Sequence, residues 1–142
     1  MELFESKKTK GIKSHIANLV AIAKSDGKFS VGEKKLVFQI GERNGITKEK
    51  VKKIIKSDKP IKFKVPDNDS ARFDRVYDLV EMLLADGINE DDEVQAVIDI
   101  TEKLGFRKAI SGVLVNKIIR GVDDPEKTKA DVKEECANFL TY

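Results

Sequence analysis

The segment LVAIAKSDGKFSVGEKKLV, residues 19–37, decides the fold, because a related segment, VEMLLADGINEDDEVQAVI, follows at residues 80–98. Aligned at an offset of 60 residues without a gap, the two segments share an Asp-Gly pair and a Glu seven residues after the Asp. Apolar residues on both sides of the pair match at helical spacing. The repetition predicts two copies of one helical hairpin, each turning at its Asp-Gly pair.

Start and stop signals divide the whole chain into about seven helices, which predicts an all-α fold. Charged residues make up 37% of the chain and aromatic residues 6%, a composition typical of short helices with solvated outer faces. The predicted N-terminal caps are Ser30 in a capping box with Glu33, Thr47, Asp67 or Asp69, and Asp124 ahead of Pro125 and Glu126.

The length suits one domain with a sizeable core, so we expect a single helical domain over residues 1–142. Pro60 and Pro66 exclude a helix that continues through the middle of the chain, and an extended linker is expected there. The expected limits are about 12–58 and 68–120 for the two repeat copies, 59–67 for the linker and 125–140 for a C-terminal helix.

The net charge of +2 hides a strong division along the chain. Residues 1–66 carry 17 Lys and Arg against 7 Asp and Glu, a net charge of +10, and the remaining residues carry 10 against 18, a net charge of −8. Such complementary halves could neutralise each other within the fold, or orient head-to-tail association or a charged partner. Solvated helix faces are the preferred interpretation of these charges.

Two residues that often carry chemistry have plain structural interpretations. Cys136 is the one cysteine, cannot form an internal disulfide and lies on an apolar stripe. His15 lies on the apolar face of the first helix, with no Cys, Ser or Asp at catalytic spacing. Because the sequence has no nucleophile motif or phosphate-binding loop, we predict that the protein is not an enzyme and has no organic cofactor.

The sequence also bears on location and on nucleic acid. No apolar run approaches the roughly 18 residues that span a membrane, and the N-terminus has no signal-peptide pattern, so we expect no membrane span and a cytoplasmic location. The lysines between residues 48 and 64 could contact phosphate, but Phe63 is the only aromatic residue among them. Nucleic acid is therefore the less favoured partner.

The paired acids at the two turns are the candidate metal ligands, Asp26 with Glu33 and Asp86 with Glu93. An aspartate at a helix C-terminus is unfavourable beside the helix dipole, and a short turn brings the glutamate of the next helix close to it. Two neighbouring carboxylates suit a hard divalent cation, so Ca²⁺ or Mg²⁺ is expected. Softer metals prefer His and Cys, which neither turn contains.

The alternative interpretation of these acids is structural. Carboxylates near a helix start accept hydrogen bonds from its free amide groups, and Gly27 and Gly87 would supply the positive φ of a sharp turn. Glu33 already has a structural role as the capping-box partner of Ser30. Both interpretations stay open at this point.

The two segments resemble the duplicated Asp-Gly and Glu signature of the TerB-like family, named for tellurite resistance protein B. The resemblance covers roughly residues 12–46 and 72–106. It implies an all-helical domain with internal pseudo-twofold symmetry and a binding role in bacterial stress response or tellurite resistance. The acidic positions that the resemblance implies as metal ligands are Asp26, Glu33, Asp86 and Glu93.

Together these observations predict a non-enzymatic binding module, with a divalent cation at the Asp-Gly turns as its specific hypothesis. The alternative is a metal-independent interaction scaffold in which the acids cap helices and the charged halves dock a protein partner or a second copy. A nucleic-acid-associated protein is the third and least favoured alternative.

Overall fold

The prediction of an all-α fold is confirmed. The computed structural model describes residues 6–24, 29–57, 59–85 and 91–139, and these ranges contain seven α-helices, one short 3₁₀ helix and no strand. No helix within these ranges is long and apolar enough to cross a membrane. The helices are α1 (Lys7–Lys24), α2 (Val31–Arg43), α3 (Lys48–Lys56), α4 (Asp69–Leu84), α5 (Asp91–Lys103), α6 (Lys108–Asp123) and α7 (Lys129–Glu135), followed by the 3₁₀ helix Ala137–Phe139.

The chain divides into two compact units, and the first, unit 1, covers Met1–Lys64. Its three helices α1, α2 and α3 all contact one another. Ile16, Val37 and Val51, one from each helix, are fully buried and form the centre of its core. The connector after α3 returns to α1, where the Lys64 amide donates a hydrogen bond to Ser14 Oγ at 3.0 Å.

Unit 2 covers Val65–Tyr142 and contains a second set of three mutually packed helices, α4, α5 and α6. The side chains of Phe73, Val97 and Leu114 are fully buried in its core. The short helix α7 packs on α6, and it buries Val132. This fourth helix has no counterpart in the described part of unit 1.

The ends of α2 and α5 have the same local geometry. Gly45 follows α2 with a φ of 78°, and Gly105 follows α5 with a φ of 108°. The next residue in each unit donates its amide back to a helix carbonyl, from Ile46 to Gly41 O at 2.9 Å and from Phe106 to Thr101 O at 3.4 Å. A positive φ at this position favours glycine, which explains why both helices end there. The duplication of the whole hairpin stays a prediction.

Two of the predicted helix starts are confirmed by their hydrogen bonds. Ser30 and Glu33 form the predicted capping box at the start of α2, and Thr47 Oγ1 accepts a hydrogen bond from the Lys50 amide at the start of α3. Both signals are local, since each cap reaches a partner three residues along the chain.

The cap predicted for α4 is wrong. Asn68, rather than Asp67 or Asp69, is the N-terminal cap, and its Oδ1 accepts a hydrogen bond from the Ala71 amide at 2.8 Å. Asp69 is already the first residue of the helix and pairs with Arg72. Three neighbouring residues are all able to cap a helix, so the sequence left the register undecided.

The predicted start of the last helix is also wrong. Asp124, Pro125 and Glu126 form a turn, in which the Glu126 amide donates to Asp124 Oδ1 at 2.9 Å. Helix α7 begins later, at a capping box in which Thr128 and Asp131 each accept a hydrogen bond from the other's amide. The reciprocal box satisfies two free amides at one helix start, which explains why it sets the boundary.

Candidate functional site

The structure describes only one member of each predicted acid pair. Asp26 and Asp86 lie in the segments 25–28 and 86–90, outside the described residues, as do both turn glycines. The expected approach of each aspartate to its glutamate therefore stays a prediction. In the described ranges, no group of three or more His, Cys, Asp or Glu side chains is arranged to hold a metal ion.

Glu33 has the structural role that its capping box predicts. The Ser30 amide donates to Glu33 Oε1 at 2.9 Å, and the Glu33 amide donates to Ser30 Oγ at 3.0 Å. The residue is only 6% exposed. At least one oxygen of this carboxylate is thus already used by the helix start, which confirms the cap interpretation for this residue without testing a cation.

Glu93 occupies the same position in α5 that Glu33 occupies in α2, the third residue of the helix. It is half-buried and follows two exposed acids, Asp91 and Asp92, in the first turn. Negative charge in the first turn is favourable beside the positive end of the helix dipole. This acidic turn therefore stabilises the start of α5 whether or not a cation is bound.

His15 and Cys136 are buried, as expected of core residues. His15 is 2% exposed on α1, and Cys136 is fully buried after α7. Burial raises the pKa of the Cys136 thiol, and the nearby Lys117 opposes that shift. A thiol is a nucleophile only as the thiolate, so this environment favours the unreactive form at neutral pH.

Helix α3 carries a strongly charged exposed surface in unit 1. This helix has five lysines and one acid, Glu49. Val51 is its buried residue, and the lysines of its outer side are exposed. We call four of them, which make no salt bridge with described residues, the lysine surface. They are Lys48, Lys52, Lys53 and Lys56.

A groove between α2 and the start of α3 shares Lys48 with the lysine surface. Its volume is about 570 Å³, and it lies wholly within unit 1. Phe38 and Ile46 provide apolar lining, and Lys35 adds a second ammonium group. Glu42 also lines the groove, so its charged lining is mixed, and its apolar lining can accept an apolar group.

Lys129 and Lys133 of α7 in unit 2 have salt-bridge partners among the described residues, whereas the lysine surface has none there. The ammonium groups of Lys129 and Lys133 lie 3.4 and 3.2 Å from the same Asp74 oxygen on α4. Lys129 also lies 5.3 Å from the ring centre of Tyr77, and Lys133 lies 5.6 Å from that of Phe73. These contacts hold α7 against α4, so both cations are part of the fold.

Helix α4 also contains a buried charge. Asp78 is 6% exposed, and Arg75 lies one turn before it. Burial lowers the pKa of the Arg75 guanidinium, while attraction by Asp78 and Asp74 raises it. Burial is the larger effect, so the pKa of the half-buried Arg75 lies below its ordinary value, and the two carboxylates offset part of that shift.

Comparison with protein-family models, with curated proteins and with solved structures finds no match to this chain. The resemblance to the TerB-like family therefore continues to rest on the two Asp-Gly and Glu segments alone.

The lysines of α3 are evident in the sequence, but the lysine surface is not. The alternation of lysine with Val51, Ile54 and Ile55 predicts which side of the helix is exposed. Whether a carboxylate from another helix reaches those lysines depends on tertiary packing. The lysine surface of α3 differs from the lysines of α7 because it makes no salt bridge within the part of the chain that the structure describes.

Proposed function

We propose that the chain is a non-enzymatic binding module whose lysine surface docks an acidic protein partner. The observation that carries this proposal is the exposure of four lysines on one short helix without a salt bridge to described residues. Like charges held together repel one another, and a negatively charged partner relieves that repulsion. Each exposed ion pair contributes only about 0.2–1 kcal/mol, so docking requires several of them together.

The chemistry of the surface favours protein over nucleic acid. Lysine is a point charge, and it lacks the planar fork with which arginine binds phosphate in two places. The lysine surface has no aromatic residue on which a base could stack. The adjoining groove, with Phe38 and Ile46, suits an apolar side chain of a peptide or protein.

Binding of fluorescent poly-L-glutamate, measured by anisotropy at low salt, tests this proposal. We expect Lys52→Gln/Lys56→Gln to weaken binding several-fold, because two cations leave the centre of the surface. The matched control is Lys8→Gln/Lys10→Gln, which removes two exposed lysines from the start of α1 and should leave binding near that of the natural protein.

Binding should also fall as sodium chloride is raised from 20 to about 300 mM, because salt screens exposed charges. Equal weakening by both lysine pairs would show that net charge, rather than the lysine surface, attracts the probe. Tighter binding of duplex DNA than of poly-L-glutamate at the same salt would replace the acidic protein partner with nucleic acid.

The resemblance to TerB-like proteins supports the same general function. A module of that family would act as a binding component of bacterial stress response or tellurite resistance, in the cytoplasm and with a protein partner. The lysine surface gives such a module a defined place of contact.

A divalent cation at the second Asp-Gly turn is the second candidate function. It is favoured by the acidic first turn of α5, where Asp91, Asp92 and Glu93 follow directly after the segment that contains Asp86. Carboxylate oxygens are the ligands that Ca²⁺ and Mg²⁺ prefer. The first turn is the weaker candidate, because Glu33 already caps α2.

Thermal unfolding in calcium and in chelator separates a cation site from a cap. If Asp86 is a ligand, Asp86→Asn lowers the melting temperature in millimolar calcium and changes it little in chelator, because only the bound state is affected. The control is Ser30→Ala, which removes a known cap and should cost about 1 kcal/mol in both solutions. Equal losses for Asp86→Asn in both solutions would identify Asp86 as a cap.

A further inference from the structure

We propose that the acidic partner of the lysine surface is a second copy of this chain, which docks through the outer side of its α5. This inference rests on the proposed function, because it takes the lysine surface as the binding surface. It goes further by identifying the partner that binds there as a second copy of the chain. Charge complementarity between two exposed helices of the same chain is the observation that points to it.

The outer side of α5 carries a row of acids opposite its buried residues. Val97 and Thr101 are fully buried, whereas Asp92 and Asp99 are exposed and Glu102 is half-buried. The three acids lie at positions i, i+7 and i+10, which share one face of a helix. We call them the acidic stripe. None of them makes a salt bridge with a described residue, and Asp99 accepts a hydrogen bond from Gln95.

The two charged rows have similar lengths. At a rise of about 1.5 Å per residue, Lys48 to Lys56 spans about 12 Å and Asp92 to Glu102 about 15 Å. Two helices of such length can therefore lie side by side with the three carboxylates near the four ammonium groups. Packed helices approach to about 8–10 Å between axes, a separation that lysine and aspartate side chains can bridge.

The charge of the whole chain favours the same arrangement. Unit 1 carries 17 Lys and Arg against 7 Asp and Glu, and unit 2 carries 10 against 18, so their net charges are +10 and −8. Because each copy has both surfaces, the lysine surface of one copy can meet the acidic stripe of another in a heterologous contact.

Sedimentation equilibrium at 20 and 500 mM sodium chloride tests the inference. The monomer has a mass of 15.9 kDa. We expect the average mass at low salt to rise with protein concentration toward twice that value or more, and to return to the monomer value at high salt. A monomer at every concentration and at both salts would overturn the inference, as would association that salt does not weaken.

Charge reversal identifies the surfaces involved. Lys52→Glu/Lys56→Glu and Asp92→Lys/Asp99→Lys should each weaken self-association by about tenfold or more, because like charges then face each other. An equimolar mixture of the two variants should associate again, since reversed lysine positions meet reversed aspartate positions and the remaining natural surfaces still match. Lys8→Glu/Lys10→Glu, with the same change in charge elsewhere on unit 1, should associate as the natural protein does.

Circular dichroism of each variant establishes that it is folded before its mass is compared. Recovery of association in the mixture would support the docking of α3 on α5. Two variants that are each monomeric and stay monomeric when mixed would contradict it. Failure of this inference differs visibly from failure of the proposed function. A protein that binds poly-L-glutamate through Lys52 and Lys56 but stays monomeric keeps its lysine surface and requires another acidic partner.

Discussion

Replacing Phe73 with alanine is expected to lower the free energy of unfolding by about 3–5 kcal/mol, the largest loss among the substitutions considered for this chain. Phe73 is the largest fully buried side chain among the described residues. Its ring centre lies 6.0 Å from that of Tyr77, and the Lys133 ammonium group lies 5.6 Å from its centre. The substitution removes apolar burial and leaves a cavity that the surrounding helices can close only in part.

Urea unfolding followed by circular dichroism measures this loss. The control is Phe38→Ala, which removes the same side chain from a half-buried position beside the groove in unit 1 and should cost clearly less. Similar losses for the two variants would contradict the burial of Phe73 in the core of unit 2. Phe73→Leu, which keeps most of the side-chain volume, should lie between the natural protein and Phe73→Ala.

Local signals in the sequence predicted the fold because they act over three or four residues. The box of Ser30 and Glu33, the cap Thr47 and the glycines that end α2 and α5 each satisfy backbone groups next to them in the chain. Such signals need no knowledge of tertiary structure. They also failed where local choices were nearly equivalent, as with Asp67, Asn68 and Asp69 before α4.

The contacts of α7 could not be predicted in the same way. Asp74 binds two lysines that lie more than fifty residues further along the chain. The sequence shows these residues as ordinary charges on helix surfaces, and only the packing of α7 brings them together. For the same reason the sequence shows that α3 is rich in lysine, but it does not show that the lysine surface makes no salt bridge with the described residues.

The candidate site contains one feature that depends on local sequence and one that depends on how several groups come together. Glu33 was predicted as a cap and is one, because a capping box is a local structure. A cation site at one Asp-Gly turn requires the aspartate of the turn and the glutamate of the next helix to point at the same ion, together with further oxygen ligands. Asp92, in the first turn of α5, lies beside the second Asp-Gly turn in the sequence and is also part of the acidic stripe. Docking of a second copy and binding of a cation are therefore alternative explanations for the negative charge of Asp92.

Replacing Gly121 with alanine is expected to destabilise unit 2 by about 1–2 kcal/mol, although alanine is the better helix former. A Cβ atom at Gly121 would lie 2.5 Å from Val132 Cγ2 and 3.0 Å from Val132 Cγ1. Val132 is 1% exposed and is the buried residue of α7. Its branched side chain is short and has few rotamers, so it cannot rotate out of the way. The added methyl group must therefore move α7 away from α6.

A double-mutant cycle with Val132→Ala tests this cause, again by urea unfolding. Removing the valine methyl groups makes room for the new Cβ atom, so Gly121→Ala should cost much less in the Val132→Ala background, with a coupling of about 0.5–3 kcal/mol. Gly112→Ala in the same helix is the matched control, because its Cβ atom would meet nothing closer than Ile98 Cδ1 at 4.0 Å. That variant should be neutral or more stable by up to about 1 kcal/mol, since alanine lowers the entropy of the unfolded chain. Equal stabilisation by both alanines would mean that Val132 of α7 does not pack closely against Gly121.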